Sequence, residues 1–262
     1  MAKIEDLLQR RTDLSTFLVH LTRTSDDGIG ALDNLQSIIR AGTIKARKAF
    51  GPACKLQSHL AGSSATQKAV CVSETPLEHI WMMLESIDGR AVHFEPYGLA
   101  ITKTTGRKAG FNPVWYSDIT RRGVNWPSTA VNLMVQEALD RATGPDGKVD
   151  QYTLQREPVF QLTPYFEQMG PIKQGRKEFW WEREWRKVDD YHLSFPTKVV
   201  ALFAPEHEHA VLHDFLAQLD ADQRTHWVER PILDPRWGLE RMVVALARIE
   251  AHQIGPFPEA GS

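Results

Sequence analysis

The stretch Trp180-Trp181-Glu182-Arg183-Glu184-Trp185-Arg186 combines three tryptophans, two carboxylates and two guanidinium groups in seven consecutive residues. If this stretch is a β-strand, its side chains alternate between two faces. Trp181, Arg183 and Trp185 then share one face, and Glu182, Glu184 and Arg186 share the other. Carboxylates beside a fixed cation suit nucleophile exchange at a sugar C1 carbon, because that transition state resembles an oxocarbenium ion.

The same residues also fit a purely structural interpretation. Alternating aromatic and charged residues on an edge strand form a solvated ion-pair ladder beside a tryptophan-rich core patch in many proteins. The rest of the chain has to distinguish the two interpretations.

Composition is that of a soluble globular protein. The chain has 262 residues, and its 42% hydrophobic content is enough to bury a sizeable core. A net charge of -2 excludes the strongly basic composition of chains that hold nucleic acid mainly by bulk electrostatics. Cys54 and Cys71 show neither metal-ligand spacing nor a disulfide pattern, so we expect a cytoplasmic protein. We find no signal peptide and no apolar run long enough to cross a membrane.

The N-terminal part predicts a strand, a glycine loop and a helix. Residues 16–23 are rich in aromatic and β-branched side chains, which favours a strand with His20 and Thr22 on one face. Apolar residues then recur at helical spacing until Gly42, a typical helix stop. The intervening glycines resemble a dinucleotide-binding loop only weakly, because Asp33 replaces the third glycine of that pattern.

Further along, short strands alternate with helices. Residues 45–68 predict a long basic loop that includes Arg47, and residues 75–78 predict a capping box before a helix. Residues 128–169 predict an inserted helical block, and Asp234 is expected to cap a final helix. That helix should present Leu239, Met242, Val243 and Leu246 on one face. We therefore expect one α+β domain over residues 1–262, with a split mixed sheet and flanking helices.

Two further groups of residues are candidates for chemistry. His20 is able to hydrogen-bond sugar hydroxyls while neutral, or it is a satisfied core histidine. Tyr97 offers an aromatic face for a planar ring, or it belongs to the core. The cluster at residues 206–213 has histidines four residues apart but lacks the order of zinc hydrolases, so we predict no metal site there.

Several of these segments together resemble the AbiGi family of abortive phage-resistance proteins. The resemblance rests on residues 17–22, the Asn34-Leu35 helix, residues 71–78 and 97–99, and Glu182 to Arg186. The early His-x-Thr strand followed by an Asn-Leu helix is also distantly similar to DarT-type ADP-ribosyltransferases, which modify DNA bases using NAD. That second resemblance implies an ADP-ribosyltransferase-like fold.

The resemblance to ADP-ribosyltransferases implies a mechanism with NAD as substrate. His20, with Thr22 on the same face, would bind the nicotinamide side, and Tyr97 would stack on the nicotinamide. Glu184 would hold the ribose 2′-hydroxyl and stabilise the oxocarbenium ion, while Glu182 would activate the acceptor. The pyrophosphate would meet cationic side chains, for which the candidates are Arg47 and Arg186.

Three functions follow as expectations. The first is a toxin that transfers ADP-ribose from NAD to a nucleic acid or protein acceptor. The second is a non-catalytic antitoxin or binding module, since some members of the AbiGi grouping are antitoxins; it would present an exposed apolar patch to a cognate toxin. The third is a metal-dependent nuclease that uses the histidine and glutamate cluster.

Overall fold

The computed structural model describes residues 12–60, 66–87, 92–120, 126–172, 175–193 and 199–247. Within these ranges the chain forms both strands and α-helices. The strands are β1 (Phe17–Leu21), β2 (Thr43–Ile44), β3 (Arg47–Lys48), β4 (Lys68–Ser73), β5 (Gly98–Thr102), β6 (Asn112–Pro113), β7 (Trp115–Asp118), β8 (Phe166–Ile172), β9 (Gly175–Lys177), β10 (Glu184–Val188), β11 (Tyr191–His192), β12 (Val199–Phe203) and β13 (Ile232–Leu233).

Ten α-helices lie in the described ranges. They are α1 (Ala31–Ala41), α2 (Pro52–Gln57), α3 (Trp81–Leu84), α4 (Lys103–Lys108), α5 (Trp126–Ala142), α6 (Gln151–Arg156), α7 (Pro158–Leu162), α8 (His209–Ala217), α9 (Ala221–Trp227) and α10 (Leu239–Leu246). Parallel and antiparallel strand pairs both occur. The predicted α+β class with a mixed sheet is therefore confirmed, whereas the ADP-ribosyltransferase-like arrangement of these elements stays a prediction.

The chain forms two compact units. The first comprises Met1–Ile44, Val72–Phe111 and His192–Ser262, and the second comprises Lys45–Cys71 and Asn112–Tyr191. A single domain with an insertion over residues 128–169 stays a prediction, because compactness does not show whether either unit folds alone.

The first unit is built on strands β13, β12, β5 and β1, in that order. Strands β12 and β13 are parallel, and the other neighbouring pairs are antiparallel. Every residue of β5 and β12 is buried, as expected of central strands covered on both faces. Helix α1 ends at Gly42, which adopts a left-handed conformation with φ 58°. The predicted strand, loop and helix at the start of the chain are thus confirmed.

Gly98 permits the close approach of β5 to β1. A Cβ atom at this position would lie 2.2 Å from the backbone oxygen of His20. Real Cβ atoms do not approach a backbone oxygen so closely, and neither strand can yield without breaking its pairing. The register that sets His20 opposite Leu99 therefore depends on a glycine at position 98.

The second unit combines short strands with a helical core. Strand β3 pairs with the start of β4, β10 pairs with β6, and β8 lies between β7 and β9. Helices α5, α6 and α7 pack together. Their shared core consists of buried apolar side chains at Leu56, Leu60, Val135, Ala138, Leu139, Ala142, Leu154, Val159 and Phe160.

The prediction that residues 180–186 form one strand is wrong. Residues Trp180–Glu182 form a 3₁₀ turn, which is closed by a hydrogen bond from the Arg183 N–H to the backbone oxygen of Trp180. Arg183 itself adopts a left-handed conformation with φ 47°. Strand β10 begins only at Glu184, because its partner β6 is two residues long. The pairing ends at the hydrogen bond that the Val114 N–H donates to the backbone oxygen of Glu184. Glu182 consequently does not belong to the strand face of Glu184.

Three other local predictions are also wrong. The basic loop over residues 45–68 contains β3 and α2, since Pro52 opens a helix that buries Leu56. The helix after Thr75 begins with a 3₁₀ turn at Leu77–His79 and has no side-chain cap. The last helix begins at Leu239 after Gly238, because the Asp234 carboxylate instead accepts hydrogen bonds from the N–H groups of residues 206 and 236.

No helix within the described ranges is both long enough and apolar enough to cross a membrane.

Candidate functional site

The side chain of Arg186 lies at the centre of a buried polar cluster in the second unit. It is 2% exposed, although it carries a full positive charge. Its Nε donates to Oε1 of Glu184 at 2.9 Å, and its Nη2 donates to Oε2 of the same carboxylate at 2.9 Å. Nη2 also donates to Glu167 at 3.1 Å, and Nη1 donates to the backbone oxygen of Pro164 at 2.9 Å. The bidentate pair is a strong, directional form of ion pair.

Glu184 accepts hydrogen bonds from three side chains. Besides the two from Arg186, the Tyr116 hydroxyl donates to Oε2 at 3.2 Å. The Cys71 thiol also hydrogen-bonds to this carboxylate. An ionised carboxylate offers about four lone-pair positions. Contacts from Arg186, Tyr116 and Cys71 therefore engage both oxygens of Glu184, whose side chain is 18% exposed.

A second carboxylate completes the charge balance. Glu167, whose side chain is 3% exposed, accepts from Arg186 on one oxygen and pairs with Lys177 on the other at 2.8 Å. We call Glu167, Lys177, Glu184 and Arg186 the buried ion cluster, after the buried Glu167 and Arg186; the side chains of Lys177 and Glu184 are 19% and 18% exposed. Its two carboxylates and two cations give no net charge, which reduces the cost of keeping charged groups away from water.

The pKa values in the cluster favour the charged forms. Burial by itself would raise the pKa of Glu184, but the charge of Arg186 and the donated hydrogen bonds outweigh it, so the pKa lies below its ordinary value. Burial would lower the pKa of Arg186, yet the neighbouring carboxylates raise it well above the usual range. Burial and the Glu184 charge raise the pKa of the Cys71 thiol and of Tyr116. Both groups thus stay protonated and act as donors.

The other predicted residues of the second unit are Glu182 and Arg47. Burial and the Glu184 charge are the larger causes that raise the pKa of Tyr116, and the Glu182 charge adds to them. Glu182 is in the 3₁₀ turn that precedes β10. Arg47 is exposed on β3, where its backbone pairs with Ala69. The structure therefore unites Glu184 with Arg186, and it gives Arg186 a carboxylate partner instead of a free cationic surface.

His20, Thr22 and Tyr97 belong to the first unit. The Thr22 hydroxyl donates to the backbone oxygen of Ala31 at 2.8 Å and contacts that of Tyr97 at 3.2 Å, so it is used within the fold. The Tyr97 hydroxyl donates to Glu208 at 2.9 Å. Burial and this carboxylate raise the pKa of Tyr97 to about 12. The half-buried His20 lies opposite Leu99 on the neighbouring strand.

Sequence reasoning missed Glu167 and Lys177, and it gave Tyr116 and Cys71 no part in a site. Glu167 had a detectable signal, because it is a single acid that directly follows the buried Phe166 in an otherwise mostly apolar segment. A buried acid requires a cation, and Arg186 was already a candidate. The contacts of Tyr116 and Cys71 depend on tertiary packing, which no spacing in the sequence reveals.

Comparison with known families identifies the chain. A family model described as "Putative abortive phage resistance protein AbiGi, antitoxin" matches residues 55–201, which is 147 of the 262 residues. The chain belongs to the AbiGi family. The match confirms the family resemblance over residues 55–201, a range that excludes residues 17–22 and the Asn34-Leu35 helix. It also confirms the association with abortive infection and defence against phage. It includes β4, β10 and the whole buried ion cluster of this AbiGi protein.

The family also corrects the predicted function. An ADP-ribosyltransferase toxin was the first expectation, and the description of AbiGi as an antitoxin contradicts it. Comparisons with curated proteins and with solved structures found no match. The resemblance to DarT-type enzymes, NAD as a substrate and the NAD-binding roles of His20, Thr22, Tyr97, Arg47, Glu182, Glu184 and Arg186 therefore stay predictions.

Proposed function

We propose that this AbiGi protein is a non-catalytic antitoxin module of an abortive-infection system, which acts by binding a cognate toxin. The observation that carries the proposal is the engagement of both Glu184 oxygens by donors of the protein itself. Donors from Arg186, Tyr116 and Cys71 occupy the oxygens that an enzyme of the predicted type would need for a ribose hydroxyl.

The buried ion cluster has a structural role under this proposal. A carboxylate that serves substrate binding has to exchange a protein donor for a substrate hydroxyl. Here that exchange would leave Arg186 buried with its bidentate partner broken, which costs several kcal/mol, about 3–5 by comparison with other buried pairs. The cluster instead fixes β10 against Pro164 and Glu167, and the protein surface is left to bind the partner.

Co-expression with the cognate toxin tests the proposal. We expect the intact chain to restore growth of cells in which the toxin is induced, and the toxin to purify together with the chain as a complex. A gene copy with its start codon removed serves as control, because it makes the same RNA but no protein. Failure to restore growth contradicts the proposal, as does rescue that is accompanied by transfer of labelled ADP-ribose from NAD.

A further inference from the structure

We infer that helix α10 and the neighbouring Trp81–Met82 segment form the docking surface for the partner, and that the partner presents an apolar centre flanked by lysine or arginine. This inference rests on the proposed binding function and adds the chemistry of the partner surface. The two segments belong to the first unit, and α10 packs against the 3₁₀ turn Leu77–His79 that precedes α3.

The apolar surface of helix α10 extends beyond the residues that face the core. Met242 is completely buried, but Leu239 is 51% exposed, Val243 is 53% exposed and Val244 is 75% exposed. Successive residues of a helix are about 100° apart, so Val244 points about 160° away from Met242. The single apolar face that the sequence predicted is therefore only partly buried, and the apolar surface continues onto the outside of the helix.

Folding alone does not explain the two exposed valines. Valine is a poorer helix former than alanine, because its branched side chain loses rotamer freedom against the preceding turn. At a solvent-exposed helix position it therefore lowers stability slightly and exposes apolar area. Burial against a partner would remove that apolar area from water, which favours association.

Polar contacts hold α10 in position. The Arg241 guanidinium pairs with Glu206, and it lies 4.0 Å from the ring centre of Trp237. The Trp237 indole also donates to Glu206 at 3.0 Å. The helix is thus fixed from its polar side while its outer apolar side remains exposed. A surface that is ordered before binding loses little conformational entropy when the partner docks.

Trp81 and Met82 add exposed apolar surface next to the 3₁₀ turn that α10 contacts. Their side chains are 44% and 42% exposed, whereas the adjacent Ile80 and Met83 are buried and anchor the segment. They follow directly after the turn that α10 contacts. Tryptophan is among the residues that contribute most to protein interfaces, because its large ring fills a partner pocket at a low entropy cost. Trp81 is therefore the expected anchor of the docking surface.

Three acidic residues lie on or next to the segments that form this surface. Glu240 lies between Leu239 and Val244 around α10, and Glu85 follows α3; both are exposed and have no ion-pair partner among the described residues. Glu78 pairs with the neighbouring His79 at 3.9 Å and with no other cation among the residues that the structure describes. The nearby Arg241 is already neutralised by Glu206. Charge complementarity therefore favours a partner whose apolar face is bordered by lysine or arginine.

Calorimetric titration of the purified chain with the purified cognate toxin tests this surface. Replacing Val243 and Val244 together by alanine (V243A/V244A) should weaken binding by roughly tenfold or more. Its thermal midpoint should be unchanged or slightly higher, because alanine favours the helix. The matched control is L133A/M134A, which changes two adjacent exposed apolar residues of α5 in the second unit and should alter binding by less than about twofold.

A charge reversal tests the chemistry of the partner. The E240K variant should bind the toxin more weakly than wild type does. Its affinity should also fall less than that of wild type when the salt concentration rises from about 0.05 M to about 0.5 M.

If V243A/V244A binds as tightly as wild type, the docking surface is wrong although the proposed function stands. If E240K binds equally well or better, a basic partner surface is wrong. If wild type itself does not bind the toxin, the proposed function and this inference both fail.

Discussion

Arg186 keeps a full positive charge at 2% exposure because acceptors on three residues surround its guanidinium group. Such a group is costly to bury and still more costly to leave unpaired. The contribution of Glu184 is thus best seen by its removal, which leaves the arginine buried with only part of its partners. Glu182, two residues earlier, provides the natural comparison, because it lies outside the strand.

Replacing Glu184 by glutamine should destabilise the protein by about 3–5 kcal/mol. The amide group has one acceptor oxygen and one NH₂ group, so a donor would face the donors of Arg186 or Tyr116. E182Q should cost less than about 1 kcal/mol. Urea unfolding of both variants measures the difference, and equal stabilities would show that the buried ion cluster does not hold the second unit together.

Acid should remove the stabilising contribution of Glu184. Its pKa in the folded state lies below its unfolded value of about 4.3, so the contribution is complete above that value and is lost as pH falls through the folded pKa. The free energy of unfolding of wild type should therefore fall more steeply between about pH 5 and about pH 2 than that of E184Q. Parallel pH profiles would contradict the assigned ion pair.

For single residues, the sequence indicated which side chains belong to a site better than it indicated what those side chains do. The concentration of charged and aromatic residues at 180–186 pointed to an important segment, and Glu184 and Arg186 do lie in one network. Their engagement with each other could not be predicted, because it depends on Glu167, Tyr116 and Cys71 from separate parts of the chain.

The close pairing of strand β5 with β1 depends on one small residue. Gly98 lies at its start, where a side chain would collide with the backbone of β1. Because the obstacle is a backbone oxygen and not a flexible side chain, the two strands would have to separate.

We expect G98A to destabilise the protein by about 3 kcal/mol or more, at the upper end of overpacking effects. Gly144 offers a control, since a Cβ there would lie 3.1 Å from the end of the Asp146 side chain, which is able to move, and 3.7 Å from the backbone oxygen of Lys148, which is an ordinary contact. G144A should change the thermal midpoint much less than G98A. A stable G98A variant would contradict the observed register of β1 and β5.

Elements with a strong local pattern were predictable. Helix α1 follows from its apolar period and from Gly42, and β12 follows from a continuous apolar run. The strand predicted over residues 180–186 failed because its start is set by the short partner β6, which is a tertiary constraint. The final helix was placed too early because Asp234 caps other backbone groups instead.

At the scale of the whole molecule, family membership and geometry lead to the same proposal. The AbiGi match covers the segment that holds the buried ion cluster, and the family is described as an antitoxin. The sequence supplied the family and the general alternative of a binding module. It did not supply the surface, because the outward direction of Val243 and Val244 depends on how α10 is fixed by Glu206 and Trp237.

The dose dependence of toxin neutralisation tests the central claim most directly. The chain and the cognate toxin are expressed from independent promoters, their molar amounts are measured by quantitative immunoblotting, and growth is recorded against their ratio. An antitoxin that acts by binding should restore full growth only when its amount reaches a fixed stoichiometric ratio to the toxin. Below that ratio, growth should increase with the ratio. Full rescue by a small fraction of an equivalent would indicate catalytic turnover and would contradict the account.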